Sequence, residues 1–260
     1  MSSLLFRHIV FGPIHSRRLG SSLGVNLLPA HGKWCSFDCI YCECGWNGDG
    51  ATDKRLPLRQ EVAQALEQKL SELALQSSLP DVITFSGNGE PTLHLDFKHI
   101  IEDTIALRNR YAPNAKVCVL YNATQLGRPD VFEALLMVDK RILKIDSAFP
   151  QTVQTIDQPA PGYDLSKTIW ELKRFRGDFT LQTLFVRGRY NDSMIDNTTP
   201  VELNAWIELI GELKPKEIMI YAIDRVTPAK ELERVPLMEL EAIAEHIRAL
   251  QMNIEVNVAG

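Results

Sequence analysis

The stretch "DVITFSGNGEPTLHLDFKHIIEDTIALRNRYAPNAKVCVLYN" (Asp81–Asn122) decides the fold class. It opens on a short apolar run, "DVITFSG", and passes through a glycine-bearing turn. It continues into "FKHIIEDTIALRNR" and closes on a second apolar run, "KVCVLYN". Short apolar runs bounded by turn residues read as buried strands, and the longer amphipathic stretch between them as a helix. A strand, a helix and a strand in that order form a crossover unit, so the two strands lie parallel.

The same alternation extends in both directions. Upstream, "LGVNLLP" (Leu23–Pro29) reads as a strand, and "VAQALEQKLSELAL" places Val62, Leu66, Leu70 and Leu73 on one helical face. Downstream, "PDVFEALLMV" is a helix, "RILKIDS" a strand, "LSKTIWELKRF" a helix and "FTLQTLFVRG" a longer strand. "TPVELNAWIELIGEL" opens with Thr199 as N-cap, Pro200 at the first helical position and Glu202 three residues after the cap, the pattern of a capping box. "EIMIYAID" is a strand, "PLMELEAIAEHIRAL" a helix and "NIEVNV" a last short strand. Six βα units before the final segment are too many for a small domain and suit a barrel or a partly closed one, expected here as an α/β partial (β/α)6 TIM-like barrel, better than an open doubly wound sheet. The expected division is an N-terminal extension over 1–22, a barrel core over 23–227 and a C-terminal helix and strand over 228–260. The functional face of such a core is where strands end and βα loops begin.

The 260 residues carry 45% hydrophobic and 23% charged side chains, the balance of a soluble globular protein. No apolar run is long enough to span a bilayer. The N-terminal arginines follow a very short apolar patch, the reverse of a secretory signal, so the expected compartment is the cytoplasm. A net charge of −5 gives no support to a broad nucleic-acid footprint.

Four of the five cysteines lie in "CSFDCIYCEC" (Cys35–Cys44), in the loop after the first core strand. Disulfides are rare in the cytoplasm, where clustered cysteines bind metal or do chemistry. Cys35, Cys39 and Cys42 are spaced C-x3-C-x2-C, and three thiolates on a short loop leave one iron of a [4Fe–4S] cluster open to a small molecule. Structural zinc favours two separated pairs of cysteines, and no second pair follows. Zinc and redox readings are the alternatives. Cys118, inside an apolar strand, is expected in the core, and Cys44 is a nearby thiol of open role.

C-x3-C-x2-C with an aromatic residue, Tyr41, before the last cysteine resembles the radical S-adenosylmethionine (SAM) superfamily. "SGNGEPTL" (Ser86–Leu93) is similar to that family's Gly-Gly-Glu segment, which holds the SAM amino group; Asn88 stands where a glycine is usual. "FGPIHSRRLGSSLGVNL", "KIDSAFPQTVQTIDQP" and "YAIDRVTPAKEL" extend the resemblance over about Phe11–Leu232, to the branch related to the tRNA wyosine-base enzymes (4-demethylwyosine synthase). Unlike that enzyme, this chain has no cysteine before Cys35. The resemblance implies a [4Fe–4S] cluster, SAM, and an electron donor such as flavodoxin or ferredoxin. It also implies an enzyme that cleaves SAM to a 5′-deoxyadenosyl radical and abstracts hydrogen from a substrate. That substrate is either a base within RNA, as in tRNA modification, or a small molecule. A non-catalytic iron–sulfur or zinc module is the reading from a different class.

On the resemblance, Cys35, Cys39 and Cys42 ligate the cluster, Gly87, Asn88, Gly89 and Glu90 receive the methionine end of SAM, and Tyr41 packs near the adenine. Asn tolerates a left-handed backbone, so the turn is expected to form with Asn88 in it. Asn122 ends a strand, either as a turn residue or as a donor to SAM. Lys144 and Asp146 share a strand face. They either form a rim ion pair or line the mouth, with Asp146 or Ser147 near the SAM ribose. Gln182 is polar in an apolar strand and, if it points inward, needs a partner such as a cofactor carboxylate. Arg187 and Arg189 either clamp an anion or are solvated, Asp224 and Arg225 are similar candidates, and "NDSMIDNT" reads as a long unpatterned substrate-covering loop. Arg17 and Arg18 either pack under the barrel or face the substrate.

Overall fold

The computed structural model describes residues 4–16, 19–49 and 55–259. Arg17 and Arg18 lie outside the described residues.

Seven strands run parallel in one curled sheet: β2 (Gly20–Val25), β3 (Val82–Phe85), β4 (Lys116–Tyr121), β5 (Lys140–Lys144), β6 (Thr180–Tyr190), β8 (Glu217–Ala222) and β10 (Glu255–Ala259). β1 (Val10–Ser16) adds antiparallel to β2. The helices are α1 (Arg59–Leu75), α2 (Phe97–Tyr111), α3 (Pro129–Met137), α4 (Pro150–Ile156), α5 (Leu165–Leu172), α6 (Pro200–Leu213) and α7 (Leu237–Ala249). This is an open half-barrel, as the alternating runs imply.

Side-chain parity divides the sheet. One face (Leu23, Val25, Ile83, Phe85, Val117, Val119, Leu143, Leu181, Ile218) is fully buried and belongs to the main core, to which the helices add their apolar stripes. The stripe of α1 is the expected one: Val62, Leu66, Leu70 and Leu73 are all buried. The other face carries Ser22, Thr84, Cys118, Leu120, Ile142, Lys144, Gln182 and Met219, which the register sets side by side across the concave surface. Cys118 is fully buried there with Val82, Ile142 and Met219. At one end of this lumen the buried Glu217 binds the buried Thr180 (2.9 Å), the half-buried Lys140 (2.8 Å) and the exposed Asn257 (2.9 Å), so its carboxylate is fully paired.

Several features depart from the expectation. β1, α4, β7 (Ser193–Asp196) and β9 (Glu231–Arg234) have no clear signature in the sequence. "NDSMIDNT" is not an unpatterned loop. Asn191 and Asp192 both take positive φ, the demand of a tight hairpin turn, and return β7 antiparallel onto β6. β9 pairs with the other edge of β6, so this long strand leaves the barrel and forms its own small antiparallel sheet above the mouth. Thr199 caps α6 through the Glu202 amide (3.4 Å), but the Glu202 carboxylate binds Ser147 (2.6 Å) and Thr152 (2.5 Å) rather than closing the box.

Candidate functional site

The loop carrying Cys35, Cys39 and Cys42 folds over the mouth of the half-barrel. Ile40 donates from its backbone to Ile156 O (2.9 Å), and Phe37, Ile40 and Tyr41 pack on Leu184, Val186 and Ile195. Three side chains brace the loop from within. Asn47 accepts from the Cys35 amide (3.0 Å) and donates to Cys35 O (3.0 Å) and Phe37 O (3.2 Å). Asp38 accepts from the Asn47 amide (2.9 Å) and from Lys33 Nζ (2.9 Å), and Lys33 also donates to Gly45 O (3.2 Å). The Lys33 side chain is only 1% exposed. Burial works against its charge, but the sulfurs of Cys42, Cys39 and Cys35 outweigh that, and its pKa is raised. Neither Lys33 nor Asn47 stands out in the sequence. A lysine becomes a buried cation here only because the chain wraps around it.

The sulfurs sit in distinct surroundings. Cys35 Sγ accepts from the Phe37 amide (3.4 Å) and Asn122 Nδ2 (3.6 Å), while burial pushes its thiol up to about 12. Cys42 is held down at about 6, first by hydrogen bonding from Cys44. The Cys44 thiol also reaches Gly87 O (3.3 Å), so it sits between the cysteine loop and the glycine loop. Among the described residues no three His, Cys, Asp or Glu side chains converge to hold a single metal ion.

The glycine loop is laced to the residue before Cys35. Trp34 donates to Asn88 O (2.8 Å), and the Glu90 amide donates to Trp34 O (3.1 Å). Gly87 (φ +143°) and Gly89 (φ +140°) hold the positive-φ positions, and Asn88 between them does not. A Cβ on Gly89 would overlap the Trp34 carbonyl, and one on Gly87 the Asn26 amide. Asn88 is instead a clamp. Its fully buried amide accepts from Phe6 N (2.8 Å) and donates to Phe6 O (2.9 Å) and Pro29 O (2.8 Å), fixing the N-terminal segment across the site.

Glu90 is buried and tied to its own chain, accepting from the amides of Thr92 (3.0 Å) and Asn122 (2.6 Å) and from the Thr92 hydroxyl. Burial pushes its carboxyl up to about 7. Asn122 both ends β4 and turns it, with its side chain on Ser36 (2.9 Å) and Thr124 (2.8 Å) as well as Cys35. The open reading of Lys144 resolves into a buried ion-pair centre: it contacts Asp146 (2.8 Å) and Asp157, 5.2 Å from the centre of the Tyr41 ring. The Tyr41 hydroxyl donates to Asp146, whose other oxygen accepts from Leu184 N (2.9 Å). Ser147 turns away, toward Glu202 on α6.

Gln182, 7% exposed, lines a cavity of about 340 Å³ in the lumen. Its walls are Thr84, Leu120, Ile142 and Met219 from the sheet and Phe6 and Phe11 from the N-terminal segment. At its rim Glu43 and Arg225 pair (2.5 Å). A second cleft, about 240 Å³, lies beside Ser36, Thr124 and Tyr163, outside the lumen. Of the remaining candidates, Arg187 pairs with Glu239 (2.5 Å) and Thr198 (2.7 Å), Arg189 lies on the outer sheet and Asp224 faces Arg234 (3.6 Å). Arg187 thus ties β6 to α7, and Asp224 ties the end of β8 to β9.

Comparison with known proteins places these loops in a family context. The family model described as the radical SAM superfamily matches residues 30–198. A protein of Brachyspira hyodysenteriae named GTPase Obg is 30% identical over 253 residues, covering 96% of this chain. This chain spans only 35% of that protein's length. A UPF0026 protein of Synechocystis sp. is 31% identical over 246 residues, 91% of this chain and 81% of its own length. In fold, the chain is similar to a radical SAM methyltransferase from Sphaerobacter thermophilus, with a TM-score of 0.69 at 14% identity over 92% of this chain and 65% of that one. It is also similar to TYW1 solved with a lysine–pyruvate adduct, with a TM-score of 0.62 at 14% identity over 88% of this chain and 73% of that one.

Proposed function

The chain belongs to the radical SAM superfamily, and from that premise we propose that it is an enzyme whose Cys35, Cys39 and Cys42 hold a [4Fe–4S] cluster at the barrel mouth. Three thiolate ligands would leave such a cluster one iron for SAM. The residues present fit such a group. Cys35 and Cys39 each lie in the field of Cys42, N–H donors point at Cys35 Sγ, and a buried ammonium offsets thiolate charge. A cubane spreads its thiolates over separate irons, so the site needs no point of convergence for one ion.

When bound, the cluster and SAM together supply a 5′-deoxyadenosyl radical that abstracts hydrogen from the substrate. The chain supplies position and shelter. Gly87 and Gly89 let the glycine loop pack directly on Asn26 and the Trp34 carbonyl, beside the cysteine loop, and this loop would receive the SAM ammonium. Asn122 holds the Cys35 side of the loop, and the Tyr41–Asp146–Lys144 network holds the Cys39 side. Gln182 and the lumen cavity receive cofactor or substrate, and the N-terminal segment keeps water out of that chamber. Asn88 acts through this segment rather than on SAM. The electron comes from a small donor such as flavodoxin or ferredoxin. The substrate is a base within RNA or a small molecule. No helix among the described residues is long and apolar enough to cross a membrane.

The single observation carrying this reading is the lacing of the three-cysteine loop to the Gly87–Glu90 loop through Trp34. The test is anaerobic reconstitution. Wild type is expected to hold about four irons and four sulfides per chain. Cys35→Ala, Cys39→Ala and Cys42→Ala are expected to lose the cluster, and Cys118→Ala and Cys44→Ala to keep it. A full cluster in Cys39→Ala, or one zinc in colourless wild type, contradicts the reading.

A further inference from the structure

We propose that Lys33 is a positioning residue whose buried ammonium favours the reduced state of the iron–sulfur centre, an inference that rests on the cluster reading above. The geometry carries it. Lys33 threads the loop from below, with Nζ bound to Asp38 Oδ1 (2.9 Å), between Cys35 and Cys39, and to Gly45 O (3.2 Å), just beyond Cys44. Its side chain is 1% exposed, so bulk water does little to screen it.

Other described charges near the loop are paired or hydrogen-bonded: Glu43, between Cys42 and Cys44, pairs with Arg225 (2.5 Å) at the exposed rim. Lys144, on the Cys39 side of the loop, is held between two buried carboxylates, Asp146 and Asp157. Glu90, beside Cys35, has its carboxylate engaged by Thr92 and Asn122. Asp38, the carboxylate paired with Lys33 among the described residues, is 28% exposed and partly solvated, so it cancels the ammonium's field incompletely. The loop that carries Cys35, Cys39 and Cys42 therefore closes around a buried ammonium, held at Asp38 and Gly45 and in the field of all three sulfurs.

Three thiolates and a cubane at its oxidised 2+ level carry one net negative charge. One electron from the donor makes that two, with no bond formed or broken. A nearby fixed positive charge favours the more negative state, and net charge is one of the levers that set such potentials. A unit charge within about 10 Å, at an effective dielectric of about 20, shifts an equilibrium by about tenfold or more.

The test compares full-length wild type, Lys33→Met and Asp38→Asn, each anaerobically reconstituted. Electron paramagnetic resonance reads the reduced fraction at fixed applied potentials, without SAM. Methionine keeps most of the stem and removes the charge. Asparagine keeps the Oδ1 acceptor used by Lys33 and Asn47 and removes the opposing charge. Lys33→Met is expected to lower the reduced-to-oxidised ratio about tenfold, a shift of about 59 mV to more negative potential for one electron. Asp38→Asn is expected to move the ratio the other way. A Lys33→Met ratio within twofold of wild type overturns the proposal, as does a shift of the same sign in both variants, which would make Lys33 only a strut. If Lys33→Met assembles no cluster, Asp38→Asn decides: a raised ratio supports the proposal, and an unchanged or lowered one overturns it. Wild type that holds no cluster fails the cluster reading itself, a separate result.

Discussion

Replacing Asn88 by Ala should free the N-terminal segment while leaving the barrel folded. The amide makes three hydrogen bonds, at 2.8, 2.9 and 2.8 Å, to Phe6 N, Phe6 O and Pro29 O. Asn88 does not have positive φ, so alanine fits its backbone and the change isolates the side chain. Two of these reach the N-terminal segment, at Phe6, and neutral bonds of about 0.5–1.5 kcal/mol each give roughly 1–3 kcal/mol there. Part of this is recovered, because Phe6 is only half-buried and its carbonyl keeps the Asn26 amide (3.2 Å). A local opening cost lower by about 2 kcal/mol means about thirtyfold more open segment. Amide hydrogen exchange with peptide-level readout is the assay. Exchange across Leu4–Phe11 should rise about thirtyfold in Asn88→Ala, while α2, built on its own apolar face, should match wild type. Unchanged exchange in the segment would refute the clamp. Acceleration throughout the barrel would show that Asn88 supports the core rather than the chamber wall.

Two further outcomes follow from the same loop. Gly89→Ala places a methyl group against the Trp34 carbonyl in a backbone region alanine avoids, at a cost of about 3 kcal/mol or more. Thermal denaturation should show the loss, and iron content after reconstitution should fall; a variant indistinguishable from wild type removes the close approach from the account. Glu90, buried and pushed up to about 7 from an ordinary 4.5, binds its proton more tightly folded than unfolded. Its contribution to stability is therefore fully present below about pH 4.5 and lost as pH rises through about 7. Cluster-free Glu90→Gln should accordingly lose less stability than wild type across that window in denaturant titrations, and parallel profiles would contradict the burial argument.

What the sequence discloses depends on how local the physics is. The spacing of Val62, Leu66, Leu70 and Leu73 is a property of one helix, and it marks the buried stripe directly. The parallel strands are legible because each needs its own apolar run. β1, in "VFGPIHS", has no such run, and it pairs because its partner strand is at the sheet edge. β7 and β9 exist because β6 overshoots the barrel. At the site, the C-x3-C-x2-C spacing is visible, while the partner each side chain takes is not. Asn88 looks like a turn residue until Phe6, distant in sequence, arrives beside it. Ser147 looks like a mouth residue until α6 brings Glu202. Lys33 carries no mark at all, because its burial comes from Asp38 and Gly45 closing around it.

The central claim is that the cysteine loop and the glycine loop jointly hold a cluster and SAM for reductive cleavage. The most direct measurement is the release of 5′-deoxyadenosine by reconstituted wild type given dithionite and SAM, without any further substrate. The account predicts slow release that depends on reductant and is absent from Cys39→Ala. Protein with a full cluster that yields no 5′-deoxyadenosine under any reductant would contradict it.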